Sequence, residues 1–93
     1  MLIRVRFFGD LSRYIDKRWM VIEVPYGSLL IDLILNMANK VDSSIFDKLV
    51  EKNEVRSGIR ILVNGRNVKY LNRLNTKLSD RDLITIMPIV GGG

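Results

Sequence analysis

The spacing of apolar residues changes period twice along this chain, and few small architectures accommodate that order. From Leu2 to Phe8 the residues alternate, Ile3, Val5 and Phe7 against Arg4 and Arg6, which predicts a half-buried strand. Gly9-Asp10 breaks it, and Leu11 to Lys17 is an ambiguous connection. Alternation resumes over Trp19 to Val24, with Met20, Ile22 and Val24 on one face. Pro25-Tyr26-Gly27 ends that strand, and Ser28 is placed to cap a helix through its hydroxyl. The period then lengthens: Leu30, Leu33, Ile34, Met37, Ala38 and Val41 follow the spacing of a helix with one buried stripe. Ser44 and Asp47 form a weak capping box for a shorter helix with Phe46, Leu49 and Val50 on one side.

Beyond Ser57-Gly58 the two-residue period returns. Ile59, Ile61 and Val63 alternate with Arg60 and Leu62, and Asn64-Gly65 is a strong hairpin signal because both residues tolerate positive φ. Asn67-Val68 is expected to pair back briefly. The stretch from Tyr70 to Asp82 is polar and irregular, with Leu71, Leu74 and Leu78 closing the edge of the core. Leu83 to Met87 forms the last strand, Ile84 and Ile86 facing inward, and Pro88 is expected to stop its pairing. Asp80 and Asp82 suit a turn before that strand better than a catalytic carboxylate pair.

This order fits an α+β domain of two layers: a mixed sheet of four to five strands, one main helix and one short helix. The first and last strands carry the strongest alternation, so both belong in the centre. As neighbours they run parallel, joined through the crossover that contains the helix. That is the β-grasp (ubiquitin-like) arrangement. We expect a single domain over residues 1–93, with a flexible glycine-rich tail over 88–93.

Composition narrows the chemistry. The chain has no cysteine and no histidine, which removes the thiolate nucleophile, the cysteine metal site and the commonest general base. No metal site and no bound cofactor are expected. No apolar run is long enough for a membrane span and no signal-peptide pattern precedes the first strand, so a cytoplasmic protein is expected. The net charge of +5 comes from basic residues spread along the chain. A solvated surface accounts for that better than nucleic-acid binding does, since Phe8 and Trp19 lack the interleaving of a base-stacking platform.

The chain ends in Gly91-Gly92-Gly93, directly after the last strand and Ile89-Val90. Glycine stabilises neither strand nor helix, because it loses the most backbone freedom on ordering. Three in a row make a thread without Cβ atoms, able to carry a carboxylate into a narrow channel. An idle end is the competing reading. Phe8, Trp19, Val21, Leu62 and Met87 share one outward phase, with Arg4, Arg6 and Arg60 among them. Large apolar residues so placed mark an interface.

Asn75-Thr76-Lys77-Leu78-Ser79-Asp80-Arg81-Asp82-Leu83 and the ending Pro88-Ile89-Val90-Gly91-Gly92-Gly93 resemble the MoaD/ThiS family of ubiquitin-like sulfur carriers. Val5-Arg6-Phe7-Phe8-Gly9 and Leu62-Val63-Asn64-Gly65-Arg66 are similar to its molybdopterin synthase small-subunit branch, as is the long segment from Val41 to Gly58. The resemblance implies a non-catalytic carrier. An activating enzyme using ATP and Mg²⁺ would adenylate the Gly93 carboxylate, and sulfur would replace AMP to leave a thiocarboxylate. The implied partners are that adenylating enzyme and the large subunit of molybdopterin synthase. Gly92 and Gly93 match the family's terminal pair, and Gly91 stands where small residues are usual. Val90, Ile89 and Pro88 would thread into the partner, while Met87, Phe8 and Leu62 would dock it. Two positions depart from the pattern: Ser12 stands where an arginine is frequent, with Arg13 one place later, and Ile89 replaces a second proline. A ubiquitin-like modifier or a carrier for tRNA thiolation is the alternative, and a small basic nucleic-acid-binding domain the third.

Overall fold

The computed structural model describes residues 1–9 and 18–89. The connection from Leu11 to Lys17, with Ser12 and Arg13, and the tail residues Val90, Gly91, Gly92 and Gly93 lie outside the described residues. Among the described residues the strands are β1 (Leu2–Phe7), β2 (Trp19–Glu23), β3 (Val50–Glu51), β4 (Glu54–Val55), β5 (Ile59–Val63), β6 (Arg66–Asn67) and β7 (Leu83–Pro88). The helices are α1 (Leu30–Lys40) and α2 (Ile45–Leu49), and two 3₁₀ turns cover Val68–Tyr70 and Arg73–Asn75.

Five strands form one mixed sheet in the order β2-β1-β7-β5-β6, while β3 and β4 make a separate small hairpin. β1 and β7 run parallel, with Val5 opposite Ile84 and Phe7 opposite Ile86. β2 pairs antiparallel with β1 on one side, and β5 antiparallel with β7 on the other. This is the β-grasp fold, and the two strands of strongest alternation hold its centre.

The two periods meet in the core. Leu30, Leu33, Ile34 and Met37 of α1 have no exposed surface, and neither do Ile3, Val5, Ile61, Ile84 and Ile86 of the sheet. A strand buries every second residue and a helix every third or fourth, so α1 lies across one face of the sheet with all its stripe engaged. The stripe stops at Met37. Val41 is 48% exposed and stands at the C-cap, one residue past the end of α1. Ala38 is half-buried.

Both proposed helix caps work differently from the expectation. Ser28 does not cap α1; its hydroxyl donates to the Pro25 carbonyl at 2.6 Å and closes the preceding turn. The cap residue is Leu29, whose N–H donates to the carboxylate of Asp32 at 2.8 Å. Asp32 thus supplies the reciprocal half of a capping box and also opposes the positive end of the helix dipole. At α2 the Asp42 carboxylate accepts from the Ser44 hydroxyl at 2.6 Å and from the Ser44 N–H at 2.8 Å. Those bonds to Ser44 hold the Asp42 carboxyl below the usual carboxylate range. The buried side of α2 is Ile45 and Leu49, with Phe46 half-buried and Val50 beginning β3.

Asn64-Gly65 makes the β5–β6 turn, with φ of 51° and 84°. A second two-residue turn, Lys52-Asn53 with φ of 52° and 62°, joins β3 to β4. Pro88 does not stop the last strand. It is the final residue of β7, opposite Ile59, and the Ile89 N–H still donates to the Gly58 carbonyl at 2.9 Å. The irregular stretch before β7 is anchored: Leu30 N–H donates to the Thr76 carbonyl and Leu78 N–H to the Ser28 carbonyl, tying it to the start of α1. Leu74 and Leu78 are buried and Leu71 packs beside them. Asp82 accepts from Ser79 N–H and from the Asn64 amide, and Asp80 accepts from Leu2 N–H, so both carboxylates build the turn.

Ile61 sits in the middle of this packing with no exposed surface. Ile61→Ala is expected to cost about 2–5 kcal/mol, the range for large-to-small changes at sites that cannot collapse. Urea denaturation of the variant against the parent chain checks this, and a difference under about 1 kcal/mol contradicts the packing described.

Candidate functional site

Register and burial divide the sheet into a helix-covered face and an outer face. Leu2, Arg4 and Arg6 of β1 stand opposite Glu23, Val21 and Trp19 of β2. Across β7, Arg6 is opposite Thr85; across β5, Arg60 is opposite Met87 and Leu62 is opposite Thr85. The outward phase expected for Phe8, Trp19, Val21, Leu62 and Met87 is therefore one continuous surface. Phe8 is 43% exposed, Trp19 53% and Val21 63%, while Leu62 and Met87 are half-buried between their neighbours.

Arg6 organises this surface. Its Nε donates to the Thr85 hydroxyl at 3.0 Å, and its guanidinium lies 5.2 Å from the Phe8 ring centre and 5.6 Å from that of Trp19. The charged group thus lies along the sheet beside two rings rather than extending into water, an arrangement worth about 0.5–1 kcal/mol per ring at an exposed site. Thr85, although outward in phase, is only 3% exposed. The result is an apolar floor with cationic groups set into it, suited to a partner surface that is itself apolar and acidic.

The last described residues of the chain, Pro88 and Ile89, continue the strand that carries Thr85 and Met87. Phe8 N–H donates to the Ile86 carbonyl and Ile89 N–H to the Gly58 carbonyl, so β7 is hydrogen-bonded on its β1 side as far as residue 86 and on its β5 side as far as residue 89. Gly9 packs against the Pro88 ring: a Cβ on Gly9 would stand 2.7 Å from Pro88 Cγ, and its φ is +65°. That contact is invisible to pattern reading, although Gly9 closing an alternating strand was its one available signal. The structure brings Pro88, Ile89, Met87, Phe8 and Leu62 together at one end of β7 and the adjoining outer face. Val90, Gly91, Gly92 and Gly93 lie beyond the described residues.

Among the described residues no group of three or more acidic side chains is placed to hold a metal ion. No helix among the described residues is long and apolar enough to cross a membrane.

A β-grasp domain whose central strand runs out into a glycine-terminated tail defines the ubiquitin-like class of carriers and modifiers. Within that class the chain belongs to the ThiS family, whose model matches residues 5–93. It is 27% identical over 93 residues to small archaeal modifier protein 3 of Haloferax volcanii, covering all of both chains. The solution structure of the Haloferax volcanii HVO 2177 protein matches with a TM-score of 0.85 at 27% identity, covering 100% of this chain and 87% of that one. The small archaeal modifier protein 1 of Methanosarcina acetivorans matches with a TM-score of 0.79 at 28% identity, covering 99% and 96%. Family membership makes the chain a ubiquitin-like sulfur carrier or modifier.

Gly9→Ala is expected to displace Pro88 and to destabilise the domain by about 1–3 kcal/mol, because it adds left-handed strain to a steric clash. Thermal unfolding and the Pro88 Hδ chemical shifts report the two effects. An unshifted proline ring in a fully stable variant contradicts the described contact.

Proposed function

We propose that the chain is a carrier whose Gly93 carboxylate is activated as an acyl adenylate and then converted to a thiocarboxylate. The supporting observation is the run-out of the buried central strand β7 through Pro88 and Ile89 toward three glycines, beside an apolar, cationic outer face. A carboxylate is a poor acyl donor until one oxygen becomes a leaving group. Attack of the Gly93 carboxylate on the α-phosphate of ATP, in the site of an activating enzyme, releases pyrophosphate and leaves AMP bonded to the acyl carbon. A sulfur nucleophile then displaces AMP. ATP and Mg²⁺ belong to that enzyme, and the carrier brings no cofactor. Its part is reach and absence of hindrance: side chains at Gly92 or Gly93 would obstruct both the channel and the approach to the acyl carbon. Phe8, Leu62 and Met87 dock the activating enzyme while residues from Pro88 onward enter its site.

For the receiving pathway we favour sulfur donation in molybdopterin synthesis, as the small subunit beside a larger synthase subunit in the cytoplasm. The similarity of Val5-Arg6-Phe7-Phe8-Gly9 and of the segment from Val41 to Gly58 to that branch supports it. A second reading, conjugation to proteins, has its own support in the full-length relative named a small archaeal modifier. Incubating the loaded carrier with a synthase large subunit and with lysine-rich proteins separates the two, since one route returns a free carboxylate and the other an isopeptide bond.

Deleting Gly93 shortens the reach by about 3.5 Å, one extended residue. It is expected to nearly abolish loading while leaving the melting temperature unchanged; Gly91→Ala is expected to be tolerated. The readout is mass spectrometry of the C-terminal peptide for exchange of one oxygen by sulfur, and equal loading of the deletion and the intact chain overturns the proposal. Met87→Asp is expected to keep the fold and weaken capture of the activating enzyme at least tenfold; unchanged capture places the docking face elsewhere.

A further inference from the structure

A second surface lies around the β5 edge of the sheet. β6 pairs with β5 only at Leu62 and Val63, so the first part of β5 borders an open groove of about 930 Å³ instead of another strand. Ile31 and Leu35 of α1, Phe46 of α2, Val55 of β4, and Tyr70 and Leu74 of the 3₁₀ turns line its apolar part. Leu35 is 45% exposed and Tyr70 78%. Neither helps to build the core, and both lie away from the outer face that carries Phe8 and Trp19.

The rim is basic. Arg56, Arg60, Lys69 and Arg73 line the groove against one carboxylate, Glu54. Arg56 is engaged by the Asp47 carbonyl and by Glu51, and Arg73 pairs with Glu54 at 3.6 Å in an exposed, weak ion pair. Among the described residues Arg60 and Lys69 are in no ion pair. These cations come from two segments, residues 56–60 and 69–73, rather than from one loop. Such a rim suits carboxylates spaced along an extended segment. The lining holds two rings, Phe46 half-buried and Tyr70 exposed, so it offers no row of rings on which successive bases would stack.

From this combination we infer that the groove is a docking site for an acidic protein segment carrying alternate apolar side chains. The apolar side chains of that segment cover Leu35, Val55 and Tyr70, and its carboxylates meet Arg60, Lys69 and Arg73. Ile89 also lines the groove, so a protein held there lies beside the point where the tail leaves β7. Arg60 stands on the outward phase of β5 and joins the two surfaces. The inference does not depend on the chemistry of Gly93, because binding to the groove is measured without an activating enzyme.

The test is titration of the ¹⁵N-labelled full chain with a twelve-residue peptide of alternating glutamate and leucine or valine. Two control peptides replace every glutamate by lysine or every apolar residue by serine. Amide shifts confined to Val55, Ile59, Lys69, Tyr70, Arg73 and Ile89 are expected with the acidic apolar peptide alone, and raised salt is expected to weaken them. Lys69→Glu with Arg73→Glu is expected to weaken binding at least tenfold, as is the separate variant Leu35→Asp. Both variants change exposed side chains, so both are expected to retain the parent melting temperature and sulfur loading. Equal binding of the lysine peptide overturns the inference. So do shifts centred on Phe8, Trp19 and Val21, or no shifts at millimolar peptide.

Discussion

The parallel pairing of β1 with β7 is the contact on which the rest of this domain depends. Its register, Arg4 to Leu83 through Phe7 to Ile86, brings residues nearly eighty positions apart in sequence into the centre of the sheet. Parallel strands need a long crossover, and α1 lies within it. With Val5 and Phe7 opposite Ile84 and Ile86, one face becomes fully apolar and takes the stripe of α1. The other face then necessarily carries Arg4, Arg6, Thr85 and Met87. The core and the outer surface are two consequences of one register, since a slip of a single residue would exchange them.

Arginine is used in two ways on the two surfaces. Arg6 is packed beside aromatic rings and bonded to a buried threonine, so its position is set before any partner arrives. A group held in this way loses little side-chain freedom on binding. Arg60, Lys69 and Arg73 at the groove are exposed, and their contribution is long-range attraction and the alignment of opposite charge. A net charge of +5 read from composition does not reveal that division.

The elements set by period were legible: β1, β2, α1, β5 and β7, together with the Asn64-Gly65 turn. Their signal is the two-residue or helical period of apolar positions, and the packing obeys it except at Thr85, outward in phase yet buried. The β3–β4 hairpin was not legible, because its strands have two residues each and its turn, Lys52-Asn53, takes positive φ without glycine. Ser28 is not the cap of α1, since its hydroxyl goes to the Pro25 carbonyl, while Ser44 is the cap residue of α2 but gives its hydroxyl to the Asp42 carboxylate. Pro88 closes β7 as its last residue, and the pairing reaches one bond further through the Ile89 N–H, so the proline sits at a strand end where it is tolerated. Of the candidate site, the outward phase of Phe8, Leu62 and Met87 could be counted from alternation. The Gly9–Pro88 contact and the groove could not, since both join segments that only the fold brings together.

The central place of β7 has a bearing on biosynthesis. A strand at the edge of a sheet can be lost with much of the core intact, but this one separates β1 from β5. A chain interrupted before residue 83 therefore lacks the element that joins the two halves of its sheet. Such a fragment exposes Ile3, Val5, Ile61 and the stripe of α1, which marks it for chaperones and proteases. The folded sheet, and with it the outer face, is therefore acquired only once β7 has been made.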